Sequence, residues 1–494
     1  MRLFGGNNMK KNIFMVILLI VAAAMPLYAK KDKDAYEALK PLMEVYAIVQ
    51  DTYVDEEKTN PDDLVAGAIK GMVQTLDPFS QYLDQQSFKD MNEDTKAEFG
   101  GLGIEISIKD GQLTVVAPIE DTPASNAGIQ AGDKIVFIDG ETTDGLEVMD
   151  AVHKLRGTPG TKVTITVQRG QEQPKDYVIT RAIIKIETAR YSVINGKYGY
   201  IRINEFMGKA SDVVLNAIGE FREKKVKKVI IDLRNNPGGL LDQAIKVSDI
   251  FLPNDRVIVS TAGRNKDKIQ KFKSSDNIEF KGDIVIIVNE GSASASEILA
   301  AALKDNEKAV IIGTNTFGKG SVQTIIPLSD NSAIRLTTQQ YFSPNGTKIH
   351  GVGVKPDIEI KDPVASTFSV ELMEKGYITE FVTEYLKKNP EGLDNSKKEK
   401  NGANVSESNI KVFFKKSFDE KLMEDFGKWL KQKGEEVQAQ EFVSDSEILA
   451  KWIKTEMALK QKGRSASRAV AVENDTQIKR AMDILDTVAR LSRN

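Results

Sequence analysis

The chain has 494 residues, 41% hydrophobic and 28% charged, with a formal net charge of −3. That length suits about three domains, and charges of both signs are too interspersed to form the basic footprint of a nucleic-acid binder. There is no cysteine and there are only two histidines, His153 and His350, so disulfides, thiolate catalysis and cysteine metal sites are excluded.

The first 29 residues read as a signal peptide. Lys10 and Lys11 precede an apolar run from Ile13 to about Met25, and Leu27-Tyr28-Ala29 offers a cleavage site before Lys30, Lys31, Asp32 and Lys33. The run is shorter than the ~20 residues a spanning helix needs, which favours a cleaved signal over a retained anchor. Cleavage would remove Arg2, Lys10 and Lys11 and no acid, moving the charge from −3 to −6. The implied destination is the periplasm or cell envelope.

Residues 30–98 carry helical spacing at Leu39, Leu42, Met43, Tyr46 and Val49, then a second helical run after Pro61-Asp62-Asp63. The turn Leu76-Asp77-Pro78 follows. Residues 99–181 change to short alternating strands (Ile104, Ile106, Ile108; Val163, Ile165, Val167) with one amphipathic helix at Leu146–Leu155. Residues 182–363 alternate strands and helices. Val229–Leu233 and Ile284–Val288 are continuous apolar runs of the buried-strand kind, each leading into a Gly- or Ser-rich turn and a helix, the order of an α/β core. Residues 364–494 are charged and helical, carry Trp429 and Trp452, and include a polar loop at 394–408.

Three segments of the α/β region carry chemistry. In Gly291-Ser292-Ala293-Ser294-Ala295-Ser296-Glu297, serines follow a buried strand and open a helix. A helix N-terminus offers unpaired N–H groups and positive potential, useful to a nucleophile and its oxyanion; a plain helix cap is the bland reading. In Gly313-(x4)-Gly318-Lys319-Gly320 the spacing approaches a phosphate loop, but Gly320 stands where Ser or Thr is required. In Asp232-Leu233-Arg234-Asn235-Asn236-Pro237-Gly238-Gly239 two glycines after a strand let backbone N–H groups approach a ligand, or simply make a tight turn.

From about Tyr46 to Pro356 these strings, together with Leu76-Asp77-Pro78 and Gly351-Val352-Gly353-Val354-Lys355-Pro356-Asp357, resemble the C-terminal processing peptidases, tail-specific serine peptidases with a Ser/Lys dyad. The resemblance implies a multidomain α/β protein. Its peptidase core has a mixed β-sheet and helices of the crotonase or ClpP-like type, with an inserted β-rich PDZ domain and helical end segments. It implies Ser294 as nucleophile, Lys319 as general base and Gln323 as the residue orienting the lysine. The N–H of Ala295 and that of one glycine of Gly238-Gly239, taken as Gly238, form the oxyanion hole. Ser292 and Ser296 are then structural. Burial disfavours the charged form of a lysine, which lets it act as a base towards a serine.

By the same resemblance, Phe99-Gly100-Gly101-Leu102-Gly103-Ile104 looks like the carboxylate-binding loop of a PDZ domain. Gly101, Leu102, Gly103 and Ile104 would receive a peptide C-terminus added as a strand. The implied partners are proteins with accessible apolar C-termini, a second copy of the chain, and an adaptor. No metal or cofactor is called for. Two other readings compete: a non-catalytic PDZ scaffold on a peptidase-like fold, and a trypsin-like PDZ protease. The latter needs a Gly-Asn-Ser-Gly-Gly-type string that is not in the sequence.

Overall fold

A computed structural model describes residues 35–109, 111–119, 121–130, 132–265, 267–275, 280–394, 416–435 and 439–491. The expected signal peptide and nearly all of the expected loop at 394–408 lie outside the described residues. The chain divides into two compact units.

The smaller unit comprises the chain up to residue 84 together with 326–336. Its helices are Ala35–Thr52 and Pro61–Gln74. The second starts where the sequence says it should: the Asn60 side chain accepts from Asp62 N–H, and Pro61 occupies the first turn, where its missing N–H is no loss. Asp77 Oδ1 then accepts from the N–H groups of Phe79 and Ser80, each at 2.7 Å. This side-chain turn aims the strand Gln81–Leu83 antiparallel to Ala333–Arg335.

The larger unit is built on a six-stranded sheet in the order Ala189–Ile194, Tyr198–Ile203, Lys228–Asp232, Asp283–Val288, Ala309–Gly313, Ile358–Glu359. The first pair is an antiparallel hairpin and the rest run parallel. Side chains alternate across a strand. Ile201, Val229, Ile231, Ile284 and Ile286 therefore face the helices Ala210–Glu223, Leu241–Asp249 and Ala295–Asp305. Tyr200, Ile230, Val285, Ile287 and Ile312 face the other way, and there Ile478, Ala481 and Leu485 of the helix Thr476–Leu491 cover them. Both faces are buried, which is why these strands read as unbroken apolar runs.

The β-rich unit has a six-stranded sheet: five strands in the order Ile104–Lys109, Gln112–Pro118, Lys134–Ile138, Lys162–Gln168, Lys175–Thr180, with the short strand Glu141–Thr142 paired to Lys134–Ile138. Its helix spans Val148–Leu155, two residues shorter at its start than expected, and turns Ala151 and Leu155 inward. An antiparallel two-strand stem, Glu98–Gly101 with Ala182–Lys185, joins the unit to the rest of the chain. The helices Thr367–Glu374, Tyr377–Lys388, Lys416–Gln432 and Ser446–Glu473 share a core of their own, in which Phe381 packs against Phe426 and Trp429 at ring separations of 4.9 and 5.7 Å. The mixed α/β core, β-rich unit and helical ends expected from the sequence are all present. No helix of the described residues is long and apolar enough to cross a membrane.

Candidate active site

Three turns meet at the carboxyl ends of the central strands, where ligands of open α/β sheets bind. After Asp283–Val288 the chain turns through 289–294 into the helix Ala295–Asp305. Ser294 caps that helix with φ 54° and ψ −112°, a conformation side-chain-bearing residues adopt only when their surroundings enforce it. The three serines of this turn are not alike. Ser292 and Ser296 are fully buried, and their hydroxyls donate to the carbonyls of Leu233 and Asn236 at 2.8 and 3.0 Å. Ser294 alone is partly exposed.

The second turn follows Lys228–Asp232. Gly238 has φ +106°, and a Cβ there would lie 2.8 Å from Ser294 Cβ and 2.9 Å from Ala295 N. The backbone of this turn thus rests directly on the serine. Ala295 N–H, first in its helix, has no hydrogen-bond partner among the described residues. Gly238 N–H donates to Asn236 Oδ1 at 2.9 Å, while fully buried Asn236 donates its amide to the Ile203 carbonyl. Arg234 ties the base of the turn to Asp232 at 2.7 Å, to Asp475 at 3.1 Å and to Gln477 at 2.9 Å, so the cover helix and the turn share one ion network.

The third turn, 314–320, carries Lys319, which is half-buried. A Cβ on Gly320 would come within 2.4 Å of His350 N, so the lysine needs a glycine after it to lie against the 349–353 turn. Gln323, on the strand Ser321–Pro327, commits its amide nitrogen to Ser321 Oγ at 2.9 Å and Thr337 Oγ1 at 3.4 Å. Its carbonyl oxygen is the atom suited to a lysine.

One residue unremarked as a site residue in the sequence binds these turns together. Glu297 is fully buried. Its Oε2 accepts from Ser294 N–H and from Lys319 N–H, both at 2.8 Å. Its Oε1 accepts from Thr316 Oγ1 at 2.6 Å and Gly318 N–H at 2.7 Å. Two nitrogens bonded to one oxygen are separated by at most twice 2.8 Å, so the main chains of Ser294 and Lys319 are neighbours although 25 residues apart. The spacing Ser294-x-x-Glu297 is that of a capping box, a signal visible in the sequence; the reach to the lysine turn is not.

In the β-rich unit the carbonyls of Leu102 and Gly103 accept from Ala124 N–H at 3.0 Å and Ile119 N–H at 2.8 Å. The N–H groups of Leu102 and Gly103 have no partner among the described residues. Gly101 pairs in the stem, and Ile104 opens the strand Ile104–Lys109, which lies at the sheet edge beside the helix Val148–Leu155. Arg156 stacks over the Phe99 ring at 4.4 Å. His153 pairs with Asp90 at 3.3 Å, and His350 lies in the turn against Gly320. Among the described residues no group of three His, Asp or Glu is placed to hold a metal ion.

A family model described as peptidase family S41 matches residues 197–360, one described as PDZ domain matches 100–176, and one described as activating protease CtpB N-terminal domain matches 20–87. The chain is 43% identical over 381 residues to a carboxy-terminal-processing protease of Bartonella bacilliformis, covering 74% of this chain and 85% of that protein. It is 35% identical over 384 residues to a probable CtpA-like serine protease of Staphylococcus saprophyticus, covering 75% of this chain and 77% of that one. Among solved structures, a photosystem II D1 C-terminal processing protease aligns at 27% identity over 65% of this chain and 92% of that chain, with a TM-score of 0.41.

Proposed function

The chain belongs to peptidase family S41, as a C-terminal processing serine protease with a PDZ domain, and we propose that it is an exported endopeptidase cutting proteins near their C-termini with Ser294 as nucleophile and Lys319 as base. The observation that carries the assignment is the shared Glu297 oxygen, which keeps the Ser294 and Lys319 main chains adjacent. Partial exposure of Ser294 beside two buried, fully engaged serines supports the choice among the three.

In the proposed reaction the neutral Lys319 amine takes the Ser294 proton as the serine oxygen attacks the scissile carbonyl. The amine then returns the proton to the leaving nitrogen, and water, deprotonated by the same amine, releases the acyl group. Ala295 N–H and Gly238 N–H receive the oxyanion, each such donor contributing about 10²–10³ in rate. Gly238 must first leave Asn236 Oδ1, so one donor of the hole is ready and the other is assembled. Gln323 accepts from the lysine and fixes its direction.

The PDZ domain is assigned residues 99–181, ahead of a catalytic core at 182–363. Gly101 to Ile104 bind the substrate's terminal carboxylate, and the edge strand Ile104–Lys109 pairs with the peptide. Self-association, through 30–98 and 364–494, and an adaptor belong to the same proposal. The test is cleavage of a denatured protein with an apolar C-terminal tail by S294A and K319A. Each variant is expected to be inactive with unchanged circular dichroism, and turnover by either one removes the dyad.

A further inference from the structure

The turn that carries Lys319 also presents a side chain that neither the dyad nor the oxyanion assignment uses. Of residues 292–296 and 316–320, which together frame the dyad, only Ser294, Phe317 and Lys319 are not buried. Phe317 is 62% exposed. Its main chain is nevertheless fixed from three sides. Its own N–H donates to the Ser292 carbonyl at 3.0 Å. Thr316 Oγ1 before it and Gly318 N–H after it both donate to Glu297 Oε1, and the other oxygen of that carboxylate holds the Ser294 and Lys319 N–H groups. With both neighbours drawn inward onto one buried oxygen, the ring is left on the outside. Beside it, Gly351 N–H donates to the Gly318 carbonyl at 2.8 Å, and a Cβ on Gly318 would lie 3.1 Å from Val352 N. Val352 is 60% exposed, so a second apolar side chain reaches the surface from a main chain in contact with this one.

We propose that Phe317, with Val352 beside it, is a specificity-determining residue of the peptidase: an apolar shelf that receives a substrate side chain flanking the scissile bond. The proposal rests on the Ser294–Lys319 reading above and deepens it, naming the chemistry selected at the cleaved bond, apart from the C-terminus assigned to the PDZ domain. Three considerations support it. Lone exposed apolar residues are ordinary on protein surfaces, but this ring stands on a pinned loop next to a second apolar side chain, so its contact costs little ordering. A substrate carbonyl has to come within about 3–3.5 Å of the Ser294 oxygen, and on the lysine side the accessible surface of these two loops beyond the dyad is the Phe317 ring. The turn that carries Gly238, which rests on Ser294, exposes Pro237 and leaves Leu240 half-buried, so apolar surface flanks the serine from the other turn as well, the usual lining of a ligand site.

F317A removes the ring from an exposed position, where truncation costs the fold little. The probes are internally quenched peptides that share one apolar C-terminal tail and differ only beside the cleaved bond. Leu or Ser is placed on each side of that bond in turn, and mass spectrometry fixes where the cut falls. The wild-type protein should favour Leu over Ser on one side, and F317A should shrink that ratio of kcat/KM by about 10-fold, the scale of a lost apolar contact. F317L should keep most of the ratio. A ratio unchanged in F317A, or no preference for Leu on either side in the wild-type protein, overturns the proposal. A fall shared equally by Leu and Ser peptides, with slower fluorophosphonate labelling of Ser294, marks a displaced loop and likewise overturns it. If F317A does not fold, V352S on the neighbouring turn should reduce the same ratio by about 3-fold, and an unchanged ratio there opposes the proposal. S294A run in parallel separates two failures: cleavage surviving in S294A removes the dyad itself, whereas an inactive S294A beside an F317A of wild-type ratio removes only the role of Phe317.

Discussion

Replacing Glu297 by Gln tests how far the site depends on one buried carboxylate. The four groups around it are all donors: Ser294 N–H and Lys319 N–H on one oxygen, Thr316 O–H and Gly318 N–H on the other. A glutamine must present an NH2 to one of these pairs. The favourable orientation turns it towards Thr316, whose hydroxyl can accept, and keeps the carbonyl on Ser294 and Lys319. Gly318 N–H is then left without an acceptor in a buried place, and three remaining bonds lose their charge assistance. An orphaned buried donor costs about 1–3 kcal/mol, and a bond to a charged group contributes about 1.5–3 kcal/mol. E297Q should therefore lose about 2–4 kcal/mol, a large part of a domain's usual 5–15 kcal/mol, yet still fold. E297A orphans every donor at once and is the poorer probe. Urea unfolding followed by fluorescence should show the stability loss. Peptide hydrolysis should show kcat down by about 10- to 100-fold as the Lys319 turn shifts by a fraction of an ångström to 1 Å. Wild-type stability together with wild-type kcat in E297Q would refute the reasoning from the shared oxygen.

Three further outcomes follow. G238A should abolish cleavage, because its Cβ would lie 2.8 Å from both the Ala293 carbonyl and Ser294 Cβ at a φ of +106°; unchanged kcat would separate this turn from the oxyanion. Acid should destabilise the fold below the ordinary aspartate range. Hydrogen bonds from Lys197 and Lys228 hold Asp486 well below its usual value, and at Asp232 the Arg234 pairing outweighs the upward push of burial. Both carboxylates are depressed in the folded state, so their contribution is complete above about pH 4 and is lost as pH falls towards their folded values. Unfolding midpoints measured from pH 6 to pH 2 should fall throughout the lower part of that range, and a flat profile would remove the ion networks from the stability account. L485A should destabilise the protein by about 2–5 kcal/mol independently of protein concentration, since Leu485 packs on the sheet of its own chain. A loss seen only at low concentration would make the helix a subunit contact instead.

Much of the α/β core was legible because strands buried on both faces leave an unbroken apolar signature, as at Val229–Leu233 and Ile284–Val288. The turns announced themselves through Gly238 and Gly320, where any side chain would strike neighbouring backbone. What escaped the sequence is long-range pairing. Glu297 reads as an acidic residue in a first helical turn, and nothing local says that its carboxylate also reaches residues 316–319. Tyr341 reads as one more aromatic in a strand, since the partner of its hydroxyl, the Lys319 carbonyl, lies 22 residues away. The apolar spacing of Ile478, Ala481 and Leu485 announces an amphipathic helix but not which surface receives it. A deletion of residues 364–494 therefore strips the central sheet of a cover and is no clean probe of self-association.

The place of that cover helix in the chain also sets a clock. Synthesis delivers Ser294 and Lys319 first and the helix Thr476–Leu491 about 170 residues later, an interval of roughly 10–30 s at 5–20 residues per second. Throughout it one face of the sheet, with Tyr200, Ile230, Val285, Ile287 and Ile312, has nothing of its own to pack against, and Arg234 lacks Asp475 and Gln477. The nascent chain thus holds every reactive group before it holds a finished core. Until the helix Thr476–Leu491 arrives, the Ser294 and Lys319 turns stand on a sheet with one uncovered face.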